Sequence, residues 1–128
     1  MFWNKRHVYL QVRKGEVKGI EFRSGKSVTR HSKALNHPRT LMADFNGVEN
    51  CFTEVIKEIA PPKFLSPSPK VYVHLLEDME GDYTMIEVRA FREAAYGAGA
   101  SSVYMPNSPN LLSKQQLLTG AFNDWDGV

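Results

Sequence analysis

The sequence has a single cysteine, Cys51, and no apolar run long enough to cross a bilayer. One cysteine cannot form an internal disulfide, and the opening residues MFWNKRHVY lack the apolar core of a secretory signal. We therefore expect a cytoplasmic protein, with peripheral attachment to a membrane left open. A chain of 128 residues can bury a core without disulfides or a structural metal, so we expect one domain, residues 1–128, with a frayed tail at 119–128.

Acidic residues are scarce at the start of the chain. Residues 1–40 hold ten Lys and Arg against two Glu, a net charge of +8, whereas the rest of the chain carries −6. Such asymmetry predicts an acidic partner, and a solvated strand face is an equally common explanation. The candidate residues for binding a partner or an anionic surface are Phe2, Trp3, Lys5, Arg6, Arg13, Lys14, Lys18, Arg23 and Arg30.

Residues 7–31 alternate apolar and polar side chains in the way a half-buried sheet does, with Tyr9, Gln11 and Arg13 on the solvent side. Two short polar runs, RKGE and RSGK, each place a glycine between such segments. They predict two hairpin turns and a three-stranded antiparallel meander.

The middle of the chain alternates helical and strand patterns. From Asp44, apolar residues from Phe45 onward recur at helical spacing until Pro61-Pro62 ends the helix. The run KVYVHLLE is nearly all apolar, which is typical of a strand covered on both faces in a parallel sheet.

The second half predicts one more strand between two helices. Thr84 with Glu87 three residues later forms a capping-box pattern, opening a helix that turns Ile86 inward and ends at Gly97 in left-handed geometry. SSVYMP reads as a short strand, and residues 111–118 as a last helix. We expect an α/β fold, a meander extended by parallel strands with flanking helices.

Residues for metal or nucleophilic chemistry are sparse. The histidines at positions 7, 31, 37 and 74 have no Cys-x-x-Cys or His-Glu-x-x-His frame around them. His74, in the apolar strand, is predicted to be a hydrogen-bonded core residue, and Cys51 a small buried hydrophobe. The first strand, HVYLQVR, contains no acid, so it lacks the central ligand of a two-metal nuclease.

The order of elements is similar to that of ribonuclease-H-like domains, the unit from which actin-like proteins are built. Five features occur in series: ADF, SPSPKVYV, a helix TMIEVRAFREAAY, the join GAGA before a strand, and Pro109. Together they resemble the first subdomain of the bacterial actin homologue MreB, of the rod shape-determining family, over about half of the chain. The resemblance implies a half-actin, ribonuclease-H-like domain.

The departures from that family bear on activity. Its first phosphate loop, Asp-Leu-Gly-Thr, corresponds here to YLQVRKGEV, and its Ile-Glu-Glu-Pro run to PNSP, with Asn107 and Ser108 in place of the acids. Glu87 aligns with the glutamate that places the attacking water in MreB, but its position also explains it as a helix cap. We therefore expect no ATPase or nuclease activity, no cofactor and no metal.

The resemblance favours a non-catalytic interaction or scaffold module near the cell-shape machinery. Half an actin-type fold would expose an apolar surface, so self-association or a protein partner is expected. Two alternatives stay open: residual ATP binding around Glu87, and binding of anionic lipid or nucleic acid through residues 1–40. Phe2 and Trp3 beside Lys5 and Arg6 favour a lipid surface, whereas no nucleic-acid motif accompanies the basic residues.

Overall fold

A five-stranded sheet organises the computed structural model, which describes residues 5–36, 42, 44–64, 66–77 and 82–125. Phe2, Trp3 and His37, all considered above, lie outside the described residues. The strands are β1 (His7–Arg13), β2 (Glu16–Glu21), β3 (Ser27–His31), β4 (Lys70–Leu75) and β5 (Ser102–Tyr104). Their spatial order is β3-β2-β1-β4-β5.

The first three strands form the predicted antiparallel meander. Its two turns contain Gly15 and Gly25, whose φ angles of 80° and 76° are left-handed and favour glycine. β4 pairs parallel to β1, and β5 pairs parallel to β4. The result is a mixed α/β fold in which a meander is extended by two parallel strands.

Three α-helices occur in the described part of the chain: α1 (Phe45–Ile59), α2 (Met85–Gly97) and α3 (Lys114–Leu118). The Asp44 side chain caps α1 by accepting a hydrogen bond from Gly47 N at 3.0 Å. Two apolar positions expected to face inward do not: Phe45 is 37% exposed and Ile86 is 81% exposed. Both lie in the first turn of their helix, beyond the part that packs on the sheet.

The main core lies between the sheet and the pair α1 and α2. It includes Leu10 and Val73 from the sheet with Phe52 and Phe91 from the helices. The Phe52 and Phe91 ring centroids are 6.3 Å apart, so the two helices meet through their aromatic side chains.

The opposite face of the central strands is covered by the chain's own C-terminal segment, defined as residues 106–125. Tyr9 and Tyr72, from β1 and β4, form a second cluster with Leu117 of α3, flanked by Leu112 and Phe122. The prediction that Tyr9 and Gln11 face solvent is therefore wrong, because both are buried. Alternation alone shows that a strand has two faces, and not whether a distant segment covers the second.

Residues 119–125 are held against the sheet rather than extending as a frayed tail. Asn107 N donates to Asn123 O at 2.7 Å, and Trp125 N donates to Met105 O at 3.0 Å. Asp124 Oδ2 also accepts from Met105 N at 2.8 Å. The segment is therefore attached beside β5 by main-chain hydrogen bonds and by the Asp124 carboxylate.

The glycine-rich join after α2 differs from expectation at one residue. Gly97 is the last residue of the helix, and the left-handed φ of 108° falls on Gly99. The prediction of left-handed geometry at Gly97 is therefore wrong. A Cβ there would meet the carboxylate end of Glu49, a flexible side chain of α1 that can move aside.

Candidate functional site

A cleft opens beside the carboxyl ends of the parallel strands β4 and β5, and it is lined by residues that follow each of them. In open α/β sheets this is the edge at which ligands bind. Its volume is about 510 Å³, within the range of small-molecule sites. The lining residues are Leu75, Leu76, Glu77, Asp82, Tyr83, Asn107, Ser108, Pro109 and Trp125.

The turn between β1 and β2 lies beside this cleft, and its main-chain groups already have partners. Lys14 N donates to Glu77 Oε1 at 2.7 Å, and Gly15 N donates to Leu35 O at 2.9 Å. The Gly15 carbonyl in turn accepts from Ser32 N at 2.9 Å. Because both amides are used and one faces a carboxylate, the turn offers no nest of free N–H groups to an anion.

His74 connects β4 to the C-terminal segment. Its Nε2 donates to the Ser108 carbonyl oxygen at 2.8 Å, because that oxygen can only accept. Nδ1 therefore accepts from the Tyr9 hydroxyl at 2.6 Å, and the Tyr9 oxygen accepts from Leu112 N at 3.2 Å. The prediction of a buried, hydrogen-bonded histidine is confirmed, and burial lowers the pKa of His74.

Glu87 serves α2 as its capping residue. Glu87 N donates to Thr84 Oγ1 at 3.1 Å, and Glu87 Oε1 accepts from Thr84 N at 2.9 Å. These reciprocal bonds are the capping box predicted from the sequence.

The cleft has polar and acidic walls. Tyr83 donates from its hydroxyl to Glu77 O at 2.8 Å and meets Trp125 edge to face, with ring centroids 6.0 Å apart. The buried Trp125 Nε1 has no hydrogen-bond partner within the described structure. The Glu77 and Asp82 carboxylates suit a cationic or hydrogen-bond-donating group better than a phosphate, whereas the indole N–H can only donate to an acceptor. The sequence did not identify Glu77, Asp82 or Trp125 as site residues, because no local pattern predicts that residues 77 and 125 lie close together.

The basic residues predicted to bind a partner separate into several locations. Arg13 and Lys14 lie at the carboxyl end of β1, and Lys18 is exposed on β2. Arg30 donates to Glu58 of α1 at the surface, a type of pair that contributes little to stability. Lys5 is half-buried just before β1.

Arg6 is buried, so it does not belong to an exposed basic face. It is 7% exposed, and its Nη1 donates to Pro61 O at 2.6 Å. Its Nη2 donates to Pro67 O at 3.4 Å, so the side chain ties β1 to the proline-rich segment after α1. Arg6 and Arg23 nevertheless line one common recess at the other end of the sheet.

The remaining candidates from the sequence are the Cys51 thiol and the possible metal ligands. Cys51 is 4% exposed, and burial raises the pKa of its thiol to about 11, so it is the predicted buried hydrophobe. Within residues 5–36, 42, 44–64, 66–77 and 82–125, no three His, Cys, Asp or Glu side chains converge as metal ligands would. No helix in that same part of the chain has the length and apolar character to span a membrane.

Comparison with known proteins gives a partial match. No family model matches the chain. Over 69 residues it is 36% identical to the cell shape-determining protein MreB of Pasteurella multocida and of Haemophilus influenzae, and equally to that of Escherichia coli K12. The match covers 54% of this chain but only 18% of the first two proteins and 19% of the third. The resemblance to MreB is thus confirmed for about half of the chain, which spans less than a fifth of those relatives.

Proposed function

We propose that this chain is a non-catalytic, MreB-like interaction module with a half-actin, ribonuclease-H-like fold. It acts with the cell-shape machinery through contacts with protein. The strand order β3-β2-β1-β4-β5, with a meander followed by parallel strands, supports the fold assignment. The 69-residue match to proteins named for determining cell shape supports the biological link.

One observation carries the non-catalytic part of the proposal. The turn between β1 and β2 corresponds to the family's first phosphate loop, which must present free amides to a nucleotide. Here Lys14 N and Gly15 N are bound to Glu77 and to Leu35 O. A phosphate at this turn would have to displace a carboxylate and meet its negative charge, which is unfavourable.

Glu87 fits the same interpretation. Its hydrogen bonds with Thr84 include the two that form a capping box. A glutamate held by its own helix start needs no catalytic role to explain it.

Nucleotide binding can be tested directly with the full chain. A ligand that binds only the folded state raises apparent stability, so ATP binding would raise Tm. We expect no rise in Tm at millimolar ATP with magnesium. A saturable rise would contradict the non-catalytic assignment and would favour residual ATP binding.

Association is the second part of the proposal, with a second copy of the chain as the partner. The first turn of α2 presents Met85 and Ile86, which are 50% and 81% exposed. Adjacent exposed apolar side chains gain free energy when a partner covers them.

Sedimentation over a range of protein concentrations measures this association. We expect Ile86→Gln to weaken it about tenfold, the effect of losing roughly 1.4 kcal/mol, without changing Tm. Tyr96→Gln, at the far end of α2 and 43% exposed, is the matched control and should associate like wild type. A wild-type chain that stays monomeric at every concentration would contradict self-association.

A further inference from the structure

A second recess lies at the opposite end of the sheet from the cleft, where β1 begins and α1 ends. Its volume is about 340 Å³. The lining residues are Arg6, Glu21, Arg23, Ser24, Lys26, Ile59, Pro61 and Lys63. Four cationic side chains and one carboxylate give these walls a net charge of +3.

The carboxylate in these walls is already committed to the turn after β2. Glu21 Oε2 accepts from Arg23 N at 2.7 Å, and Oε1 accepts from Ser24 N at 3.0 Å and from Ser24 Oγ at 2.8 Å. Burial alone would raise the pKa of Glu21, but these hydrogen bonds and the nearby Arg6 charge together outweigh burial and lower it. Glu21 therefore stays ionised and shapes the turn, and the walls of the recess keep a net positive charge.

The Arg6 guanidinium forms part of the wall of this recess. Its Nη atoms donate to the carbonyl oxygens of Pro61 and Pro67, which carry no net charge. Its Nε is buried without a hydrogen-bond partner among the described residues. This guanidinium is only 7% exposed; the Glu21 carboxylate is near enough to interact with it electrostatically, but its hydrogen bonds go to neutral carbonyl groups, so an anion bound in the recess would stabilise the buried charge further.

The rim adds two exposed ammonium groups. Lys26 belongs to the turn before β3, and Lys63 follows the Pro61-Pro62 pair after α1. Their long side chains can converge on an anion in the recess from two separate segments. The Pro61 carbonyl near the end of α1, which would repel an anion, is covered by Arg6.

We propose that this recess, formed by the start of β1, the turn after β2 and the segment after α1, binds a phosphate-class oxyanion. A free phosphate compound and a phospholipid headgroup carry the same chemistry. Arg6 supplies a fixed buried charge, and Lys26 and Lys63 close on the ligand with charge-assisted hydrogen bonds. The site is independent of the cleft, whose walls contain Glu77 and Asp82.

The test uses two probes on the full chain: pyrophosphate, measured by calorimetry, and phosphatidylglycerol vesicles, measured by co-sedimentation against phosphatidylcholine vesicles. The recess variant is Lys26→Gln with Lys63→Gln. The control variant is Lys33→Gln with Arg89→Gln, which removes the same charge from two exposed residues outside the recess and outside the adjacent pocket that shares Arg6 and Lys63 with it. Circular dichroism and Tm without ligand check that both variants fold.

We expect the recess variant to lose about tenfold or more in affinity for at least one probe, and the control variant to stay close to wild type. Loss for pyrophosphate alone identifies a soluble phosphate compound, and loss for vesicles alone identifies a lipid headgroup. Absence of binding to both probes, or equal weakening in both variants, would overturn the proposal, since equal weakening reflects net charge only.

Discussion

At the scale of the residue, His74 shows how a side chain can be fixed in one protonation state. Its two nitrogens have opposite roles, a donor to Ser108 O and an acceptor from the Tyr9 hydroxyl. A second proton on Nδ1 would face the Tyr9 O–H, so the hydroxyl would have to turn its own proton away from the ring. Neutral His74 therefore stabilises the attachment of the C-terminal segment to β4.

The pH dependence of stability follows from this arrangement. The folded-state pKa of His74 is lowered, whereas an unfolded histidine titrates near 6.5. The stability contributed by neutral His74 is complete above about pH 6.5 and is lost as pH falls from there through the folded-state pKa. The pKa of His7 is lowered too, by burial and by Lys70, so it acts in the same direction.

We expect His74→Leu to lower the free energy of unfolding by about 1–3 kcal/mol at pH 7.5, since it leaves Tyr9 and Ser108 O without this partner. Between pH 7 and pH 5 the variant should lose less stability than wild type. Urea denaturation across this range measures both effects. Parallel pH profiles for the two proteins would contradict the assignment.

At the scale of the element, β2 and α1 approach so closely that one residue must be glycine. A Cβ on Gly19 would overlap Val55 Cγ1 and lie 3.0 Å from Ile59 Cδ1. Strand propensity favours alanine over glycine by about 0.5–1 kcal/mol, whereas overpacking a core costs about 1–3 kcal/mol. Packing is the larger effect.

Gly19→Ala should therefore lower the free energy of unfolding by about 1–3 kcal/mol. Lys18→Ala, the exposed neighbour on β2, is the control and should stay within about 0.5 kcal/mol of wild type. Urea denaturation of both variants measures whether each substitution lowers or raises the free energy of unfolding. A gain in stability for Gly19→Ala would mean that propensity outweighs the contact with α1.

The elements themselves were mostly predictable, because their signals are local. Capping at Asp44, the Thr84 and Glu87 box, and the paired prolines after α1 all act within a few residues along the chain. The exposure of Ile86 was not predictable, because helical periodicity identifies the apolar face of a helix but not how much of that face the core covers. Whether the first turn of α2 meets the core depends on where the rest of the fold ends.

At the scale of the whole molecule, the C-terminal segment closes the second face of the sheet. Asp124 holds the end of that segment by accepting from Met105 N at 2.8 Å and from Arg92 Nη2 at 3.1 Å. Both of its carboxylate oxygens are therefore bonded to the region around β5. This contact spans 19 residues of sequence to Met105 and 32 to Arg92.

Asp124→Ala should lower the free energy of unfolding by about 1–3 kcal/mol, because the buried Met105 N–H loses its acceptor. Asn123→Ala is the control, since Asn123 contributes its main-chain oxygen to Asn107 and its side chain is exposed. Thermal denaturation compares the two. Equal Tm values for both variants would show that the carboxylate does not secure the segment.

The sequence by itself determined the meander, α1, the capped start of α2 and the likeness to MreB, because each depends on patterns within one segment. Only the tertiary structure decided that Arg6 is buried, that Lys14 and Gly15 have no free amides, and that Tyr9 lies under a C-terminal cover. It also decided that Lys26 and Lys63 share a recess. Each of these depends on groups far apart along the chain, whose proximity is set by the packing of the sheet, helices and connecting segments together.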